Sequence, residues 1–282
     1  MRYRVRHETV YRYTSEVFLE PHTIRLRPRS DSWQRLERFA ILINPQPTRL
    51  AEGVDAEGND VAYAWFSGLT DSLRIRTDFE VETLRENPFD FLESLQMLDW
   101  PPMRYPEDLR ARLGHALLRV SPTGPAVDRL ARDAASGSRQ ALTSYLCSLS
   151  SRINEMHKIV VRAEGEPMHP AETLRAGKGA CRDLAVLFVD CCRSAGLAAR
   201  FVSGYQEASV DANDQQMHAW AQVYVPGGGW RGFDPSLGLA VEDRHICVAA
   251  AAEPRHAAPV SGSYRGDALA LPLEASLSVS SC

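Results

Sequence analysis

Apolar and polar positions alternate with a period of two along most of the first 86 residues. Tyr3, Val5 and His7 alternate with arginines, and Leu73 and Ile75 begin a similar alternation that continues to residue 81. This spacing is typical of strands with one buried face. Short apolar runs lie between these segments, separated by turn formers at residues 44–45 and 57–59. The pattern predicts a small antiparallel β-sandwich.

The spacing becomes helical after residue 88. Residues 106–118 and 126–156 carry apolar side chains at helical intervals, among them Leu130 and Leu149. A further helix is predicted over residues 181–195, ending at Gly196, and strands follow over residues 198–205, 217–225 and 230–234. Residues 273–281 alternate once more and predict a last strand. A helix followed by antiparallel strands is typical of an α+β fold.

The charge balance argues against some classes of partner. The 282 residues include 32 Lys and Arg against 36 Asp and Glu, and no region is one-signed enough to favour nucleic acid or an anionic membrane. No stretch approaches the ~20 apolar residues of a membrane span, and the first residues lack the apolar core of a secretory signal. We therefore predict a cytoplasmic protein with neither a nucleic-acid nor a membrane partner.

The six cysteines are sparse for this length and form no CxxC motif, which favours reduced thiols. Cys191 and Cys192 are adjacent in a helical pattern, where consecutive side chains point about 100° apart and cannot easily share a metal ion. The sequence also shows no calcium loop of the EF-hand type. We therefore predict no metal and no cofactor.

Cys181 differs from the other cysteines in its surroundings. It follows Gly177 and Gly179 and begins the helix whose apolar stripe includes Leu184 and Phe188. The partial positive charge of a helix N-terminus favours the thiolate, which is the attacking species. Asp183, in the same first turn, is predicted to cap the helix rather than to act as a base. The remaining thiols are predicted to be inert, buried small hydrophobes: Cys147, Cys191, Cys192, Cys247 and Cys282.

His218 and Asp234 lie on two strands joined by a glycine-rich turn. Taken singly, a strand histidine is usually a satisfied polar group and an aspartate before proline is usually a turn former. On adjacent strands, however, the carboxylate can orient the imidazole while its other nitrogen faces a thiol. The order of Cys181, His218 and Asp234 therefore predicts a nucleophile, an acid/base and an orienting group.

This role for Asp234 requires a particular hairpin register. Cross-strand neighbours share a face, so Asp234 lies on the face of His218 only if paired residue numbers have an even sum. Tyr224 opposite Trp230 meets this condition and leaves residues 225–229 as the loop. An odd register would place Asp234 across from Ala221 on the apolar face, where an unpaired carboxylate is costly.

Two long segments resemble the bacterial transglutaminase-like family, a branch of the papain-like thiol enzymes. They read TLRAGKGACRDLAVLFVDCCRSAGLAARFVSGYQ and MHAWAQVYVPGGGWRGFDPS, and they are followed by HICVAA and PVSGSYRG. By position, Cys181 matches the nucleophile, His218 the base and Asp234 the orienting carboxylate. The resemblance implies a β-rich domain at residues 1–86, a papain-like catalytic core with leading helices at residues 87–265 and a C-terminal strand or tail at residues 266–282.

The resemblance implies thiol-dependent acyl transfer on a peptide, protein or small amide substrate. The backbone N–H of Cys181 is the expected oxyanion donor, and a second donor is unassigned. Hydrolysis of the thioester would make the protein a cysteine peptidase or amidase, and aminolysis would make it a transglutaminase. Hydrolysis is favoured because no recognisable feature marks a lysine-binding tunnel. The alternative is a non-catalytic binding module on the same fold.

Overall fold

The computed structural model describes residues 1–94, 103–119, 124–136, 141–162, 164–207 and 216–282. The N-terminal strands are β1 (Arg2–Leu19), β2 (His22–Ile24), β3 (Gln34–Asn44), β4 (Arg49–Val54), β5 (Asp60–Trp65) and β6 (Thr70–Thr83). The middle of the chain forms α1 (Glu107–Arg112), α2 (Gly114–Leu117), α3 (Pro125–Ala135), α4 (Leu142–Met156), β7 (Lys158–Ile159), α5 (Pro170–Ala176), β8 (Lys178–Gly179) and α6 (Cys181–Ser194). The later strands are β9 (Ala199–Gln206), β10 (His218–Val225), β11 (Gly229–Asp234), β12 (Leu239–Ala240), β13 (His245–Ala251), β14 (Val260–Ser261), β15 (Tyr264–Arg265) and β16 (Glu274–Ser281).

The N-terminal strands form two sheets that face each other. One sheet has the order β15-β1-β6-β3 with β16 also on β1, and the other has the order β14-β2-β5-β4. Val17, Leu73 and Ile75 of the first sheet share a buried cluster with Ile24 and Ala64 of the second. The predicted sandwich is confirmed, because buried apolar residues of both sheets meet in this cluster.

The C-terminal strands return to this sandwich. β14 pairs with β2, β15 pairs with the end of β1, and β16 runs antiparallel to the first half of β1 with Tyr3 opposite Ser281. The predicted last strand is thus confirmed. Both ends of the chain contribute to one sheet, so the sandwich needs residues that are far apart in sequence.

A second layered unit carries the predicted core. Its antiparallel sheet has the order β12-β11-β10-β9-β13, and α6 packs on β10 and β9. Leu184, Leu187 and Phe188 of α6 are fully buried, and the Phe188 ring stacks on Phe233 of β11 at 5.8 Å. The α+β class predicted from the sequence is confirmed. No helix in the described ranges is both long and apolar enough to cross a membrane.

The leading helices are more broken than the sequence pattern predicts. Residues 106–118 form α1 and α2, which are separated at Leu113. Residues 126–156 contain α3 and α4, and part of the connection between them, residues 137–140, lies outside the described residues. Val127, Leu130 and Leu149 nevertheless lie in the same core cluster as the buried residues of α6. The helical spacing therefore predicted correctly which side chains are buried.

Side-chain amides of the sandwich hold the edge strand of the core sheet. Gln34 Nε2 donates to the Cys247 carbonyl at 2.7 Å, and its Oε1 accepts from the Cys247 N–H at 2.8 Å. Asn59 makes the same pair of hydrogen bonds with Ala250, at 3.1 and 2.8 Å. Both amides are buried. They satisfy backbone groups of β13 that a further strand would otherwise have to pair.

Candidate active site

Cys181 is the first residue of α6, where the sequence pattern predicts it. The preceding helix α5 ends at Gly177, whose left-handed conformation (φ 59°) turns the chain toward α6 through β8. Glycine suits this position because it has no Cβ to oppose a positive φ. N–H groups in the first turn of a helix have no acceptor within the helix. The thiol therefore lies beside a positive end of the helix dipole.

Asp183 caps this helix start, as predicted. Its carboxylate accepts hydrogen bonds from the N–H groups of Ala180 and Met168, each at 2.8 Å, and pairs with Arg162 at 2.6 Å. The side chain is almost completely buried. Through these hydrogen bonds, Asp183 connects the segment that precedes α5 to the start of α6, beside Cys181.

The hairpin of β10 and β11 has the predicted register. Tyr224 lies opposite Trp230 and Ala221 lies opposite Phe233, so that paired numbers have an even sum. Pairing already begins at Val225 with Gly229, and the loop is therefore shorter than predicted. In this register Asp234 shares a face with His218 rather than with the apolar side of the sheet.

The structure brings the three predicted site residues together. His218 Nε2 lies 2.6 Å from Asp234 Oδ2, and the same imidazole interacts with the Cys181 side chain. Since Nε2 is engaged by the carboxylate, Nδ1 is the nitrogen that remains to interact with the sulfur. Asp234 is fully buried, and the His218 side chain keeps 16% of its surface exposed. The imidazole therefore bridges a buried carboxylate and the thiol.

The surroundings favour a charged His218–Asp234 pair. Burial by itself would lower the pKa of His218, but the hydrogen bonds and charges of Asp234 and Cys181 raise that pKa to about 10. Burial would raise the pKa of Asp234, but hydrogen bonds from two imidazoles hold that pKa well below its usual range. The carboxylate is therefore ionised at neutral pH and stabilises a protonated His218.

The turn after β11 supplies the remaining partners of Asp234. Oδ1 accepts hydrogen bonds from the Ser236 N–H at 2.9 Å, the Ser236 hydroxyl at 2.6 Å and the Leu237 N–H at 3.3 Å. This local pattern, in which an aspartate accepts from the backbone two residues on, is that of an Asx turn. The ordinary turn-forming role of Asp234 and its contact with His218 thus use different oxygens.

His245, at the start of β13, is a contact of this site that the sequence reasoning missed. Its Nε2 lies 3.1 Å from Asp234 Oδ2, and its side chain is almost completely buried. The segment HICVAA contributes to the family resemblance, but nothing in it pointed to a role for the histidine. The one available signal is its position, because a histidine at the head of a wholly apolar strand is buried and needs a partner.

The set of His218, Asp234 and His245 also has the composition of a metal site, since one ligand atom from each lies within 4.8 Å of the others. Metal-bound imidazoles usually donate their second N–H to a protein acceptor. Among the described residues His245 Nδ1 has no hydrogen-bond partner, and the second nitrogen of His218 is used by Cys181. The donor set therefore fits a hydrogen-bonded carboxylate better than a metal ion.

Of the other five thiols, four have pKa values raised by burial and one, Cys282, is exposed. Burial raises the pKa of Cys147, raises that of Cys247 to about 11, and raises those of Cys191 and Cys192 well above the usual range. These four thiols therefore stay protonated at neutral pH. Cys282 is exposed and Cys147 and Cys247 are partly exposed, so the prediction of burial is correct only for Cys191 and Cys192. Cys282 lies at the end of the chain, beyond β16.

Comparisons with known proteins agree with this architecture. Residues 3–82 match the profile of the bacterial transglutaminase-like N-terminal region, and residues 129–235 match that of the transglutaminase-like superfamily. An uncharacterized protein of Mycobacterium tuberculosis is 30% identical over 261 residues, which are 88% of this chain and 82% of that protein. An uncharacterized protein of Mycobacterium leprae is 26% identical over 277 residues, 94% of each chain.

A solved structure has the same fold. The crystal structure of a candidate cysteine protease from Cytophaga hutchinsonii aligns with a TM-score of 0.72 and 18% identity, covering 100% of this chain and 91% of that one. At this identity the likeness concerns the fold alone. The sequence relatives and the matched profiles extend over both the strand-rich region and the core. The chain belongs to the bacterial transglutaminase-like family.

Proposed function

We propose that this protein is a thiol-dependent acyl-transfer enzyme that cleaves peptide or carboxamide bonds. Cys181 is the nucleophile, His218 the acid/base and Asp234 the group that orients and charges His218. One observation carries the proposal: a single imidazole contacts both the thiol at a helix start and a buried carboxylate. Such an arrangement activates a weak nucleophile and supplies a proton to the leaving group.

In the proposed reaction the Cys181 sulfur attacks the carbonyl carbon of the substrate and forms a C–S bond. The carbonyl oxygen becomes an oxyanion, which the N–H of Cys181 at the helix start is placed to stabilise. His218 then transfers its proton to the amide nitrogen, the C–N bond breaks, and the amine leaves. The resulting thioester is attacked by water or by a second amine, with His218 now accepting a proton from the attacking group; the C–S bond then breaks, which releases the acid or the new amide and frees the Cys181 sulfur.

We propose hydrolysis as the usual outcome. Water needs no binding site of its own, whereas transfer to an amine requires a water-poor groove that aligns the acceptor with the thioester. We also propose a cytoplasmic location, because the proposed nucleophile is a free thiol and the cytoplasm keeps thiols reduced. Peptides, proteins and small amides are the proposed substrate class.

Site-resolved alkylation tests the activated thiol. Native protein is treated with iodoacetamide at several pH values, and the modification of each cysteine is followed by mass spectrometry. An ordinary thiol is about 3% thiolate at pH 7, so we expect Cys181 to react about tenfold faster than the exposed Cys282 near pH 6–7. Cys282 is a useful internal reference because it experiences the same reagent in the same molecule.

Turnover on an amide library tests the reaction itself. Cys181→Ala and His218→Ala should each abolish turnover, and the double variant should be no worse than either, because the two residues act as a unit. Adding a primary amine separates hydrolysis from transfer, since transfer incorporates that amine into the product. Normal turnover by Cys181→Ala would refute the mechanism. An unreactive Cys181 together with substrate binding but no cleavage would instead indicate the binding module.

A further inference from the structure

One oxygen of Asp234 is shared by two imidazoles. His218 Nε2 lies 2.6 Å and His245 Nε2 lies 3.1 Å from Oδ2, while Oδ1 is occupied by Ser236 and Leu237. The proposed reaction uses only the first of these imidazoles. His245 has only 3% of its side-chain surface exposed, so its contact with the carboxylate is a fixed feature of the interior.

The two imidazoles differ at their second nitrogen. His218 lies between the Cys181 side chain and the Asp234 carboxylate and can engage one group with each nitrogen. His245 donates from Nε2, and among the described residues its Nδ1 has no hydrogen-bond partner. This arrangement suits a ring that uses Nε2 as its donor, because a proton on Nδ1 would find no acceptor among these residues. His245 is therefore placed to donate a hydrogen bond to Asp234 from Nε2 alone.

Packing fixes the ring of His245. The Trp220 ring meets it edge-on, with centroids 5.2 Å apart and an interplanar angle of 76°. Gly204 lies between their strands, and a Cβ there would come within 2.6 Å of the Trp220 ring. The amide of Gln34 holds the backbone of Cys247, two residues further along the strand of His245. Both the ring and its strand are thus restrained.

This second donor matters because His218 changes during the reaction. When His218 gives its proton to the leaving amine and later regains one, the strength of its bond to Asp234 changes. Without His245, no described residue other than His218, the group that Asp234 must orient, would hold the Oδ2 side of the carboxylate. We infer that His245 is a positioning residue of the active site, which holds Asp234 Oδ2 in place for His218 throughout the reaction. This inference rests on the proposed function.

Substitutions that keep or remove the donor test the inference. His245→Phe keeps a ring against Trp220 but has no N–H, whereas in His245→Gln the amide nitrogen lies as many bonds from Cβ as Nε2 does. His245→Asn carries the same amide one carbon shorter and falls short of Asp234. We expect His245→Phe and His245→Asn to lower the alkylation rate of Cys181 about 10- to 100-fold, the range found when a hydrogen-bond partner that orients a metal ligand is lost, because His245 orients Asp234 in the same way. His245→Gln should recover most of the rate.

Two controls accompany these measurements. The alkylation rate of Cys282 in the same molecules should stay constant, and His256→Phe, which changes an exposed histidine, should leave Cys181 unaffected. NMR of protein labelled with ¹⁵N at histidine gives a readout that does not depend on catalysis. In His245→Phe the imidazole N–H signal of His218 should move, because Asp234 Oδ2 has lost one donor, and His245→Gln should return it toward its original position.

The inference would be overturned by a His245→Phe protein with wild-type alkylation at Cys181 and an unmoved His218 signal. It would equally be overturned if the Phe, Asn and Gln variants all lost the same reactivity in proportion to lost stability, since the histidine would then be only structural. If His245→Phe does not fold, the Gln and Asn variants decide the question, because they differ mainly in reach. A wild-type Cys181 no faster than Cys282 would refute the proposed function itself.

Discussion

Replacing Asp234 with asparagine removes one buried charge and keeps the shape of the side chain. The carboxamide oxygen can still accept from Ser236 and Leu237, where Oδ1 now lies. The amide NH₂ then faces the Nε2 atoms of His218 and His245, which lie 2.6 and 3.1 Å from Oδ2. A donor facing two donors is unfavourable, so each imidazole must move its proton to Nδ1 to restore a hydrogen bond.

The energetic cost follows from this exchange. Hydrogen bonds to a charged acceptor contribute about 1.5–3 kcal/mol each and neutral ones about 1 kcal/mol, so exchanging two leaves a loss of about 1–4 kcal/mol. In addition to this loss of stability, turnover should fall by about 10²- to 10⁴-fold, because a proton on Nδ1 points at the Cys181 sulfur and prevents His218 from acting as its base. Some turnover should remain, unlike in Cys181→Ala.

The loss of stability should depend on pH in a defined direction. The pKa of His218 is raised from 6.5 to about 10, so its contribution to stability is complete below pH 6.5 and is lost as pH rises through 10. The pKa of Asp234 is lowered from 3.8, so its contribution is present above pH 3.8 and is lost as pH falls below that value. The free energy of unfolding of the wild-type protein should therefore exceed that of Asp234→Asn by the largest amount between pH 3.8 and 6.5.

Urea unfolding of both proteins at several pH values measures this difference, and alkylation of Cys181 in the same samples reports the chemistry. Asp234→Leu is a useful companion, since it also removes the acceptor for Ser236 and should be less stable than Asp234→Asn at every pH. A difference between wild type and Asp234→Asn that is constant from about pH 5 to pH 10 would refute the charged-pair reasoning. Unchanged Cys181 reactivity in Asp234→Asn would refute the orienting role.

Two further substitutions test the packing around the site. Gly204→Ala would bring a Cβ within 2.1 Å of the Ile246 carbonyl oxygen and 2.6 Å of the Trp220 ring, and such overpacking against the backbone should cost about 3 kcal/mol. Gly53→Ala has nothing within 4 Å of its Cβ and serves as the strand control in urea unfolding; equal midpoints for the two variants would contradict the steric argument. Gln34→Leu leaves the backbone N–H of Cys247 without the amide that it contacts at 2.8 Å, which should cost about 1–3 kcal/mol. Gln46→Leu changes an exposed glutamine and should leave the free energy of unfolding almost unchanged. A Gln34→Leu protein as stable as this control would mean that the hydrogen bonds between Gln34 and Cys247 contribute little to stability.

Local sequence patterns were sufficient for the helix start and the hairpin. The stripe of Leu184 and Phe188 located the beginning of α6 at Cys181, because helical burial has a fixed period. The side-chain alternation of a strand is equally strict, so parity, together with the cost of placing a carboxylate on the apolar face, predicted Asp234 on the face of His218. These periodicities are properties of a single segment or of two segments joined by a short turn, and they can be recognised without knowledge of the rest of the fold.

Only the tertiary structure showed that His245 is a second partner of the Asp234 carboxylate. The strand that carries His245 is apolar along its length and contains a register shift between Cys247 and Ala249, so its sequence has no alternation from which a face could be assigned. Its neighbours are set by the pairing with β9 and by amides of Gln34 and Asn59 from the distant sandwich. Such contacts depend on which surfaces meet when the whole chain buries its apolar area, and this is a non-local outcome that no single segment encodes.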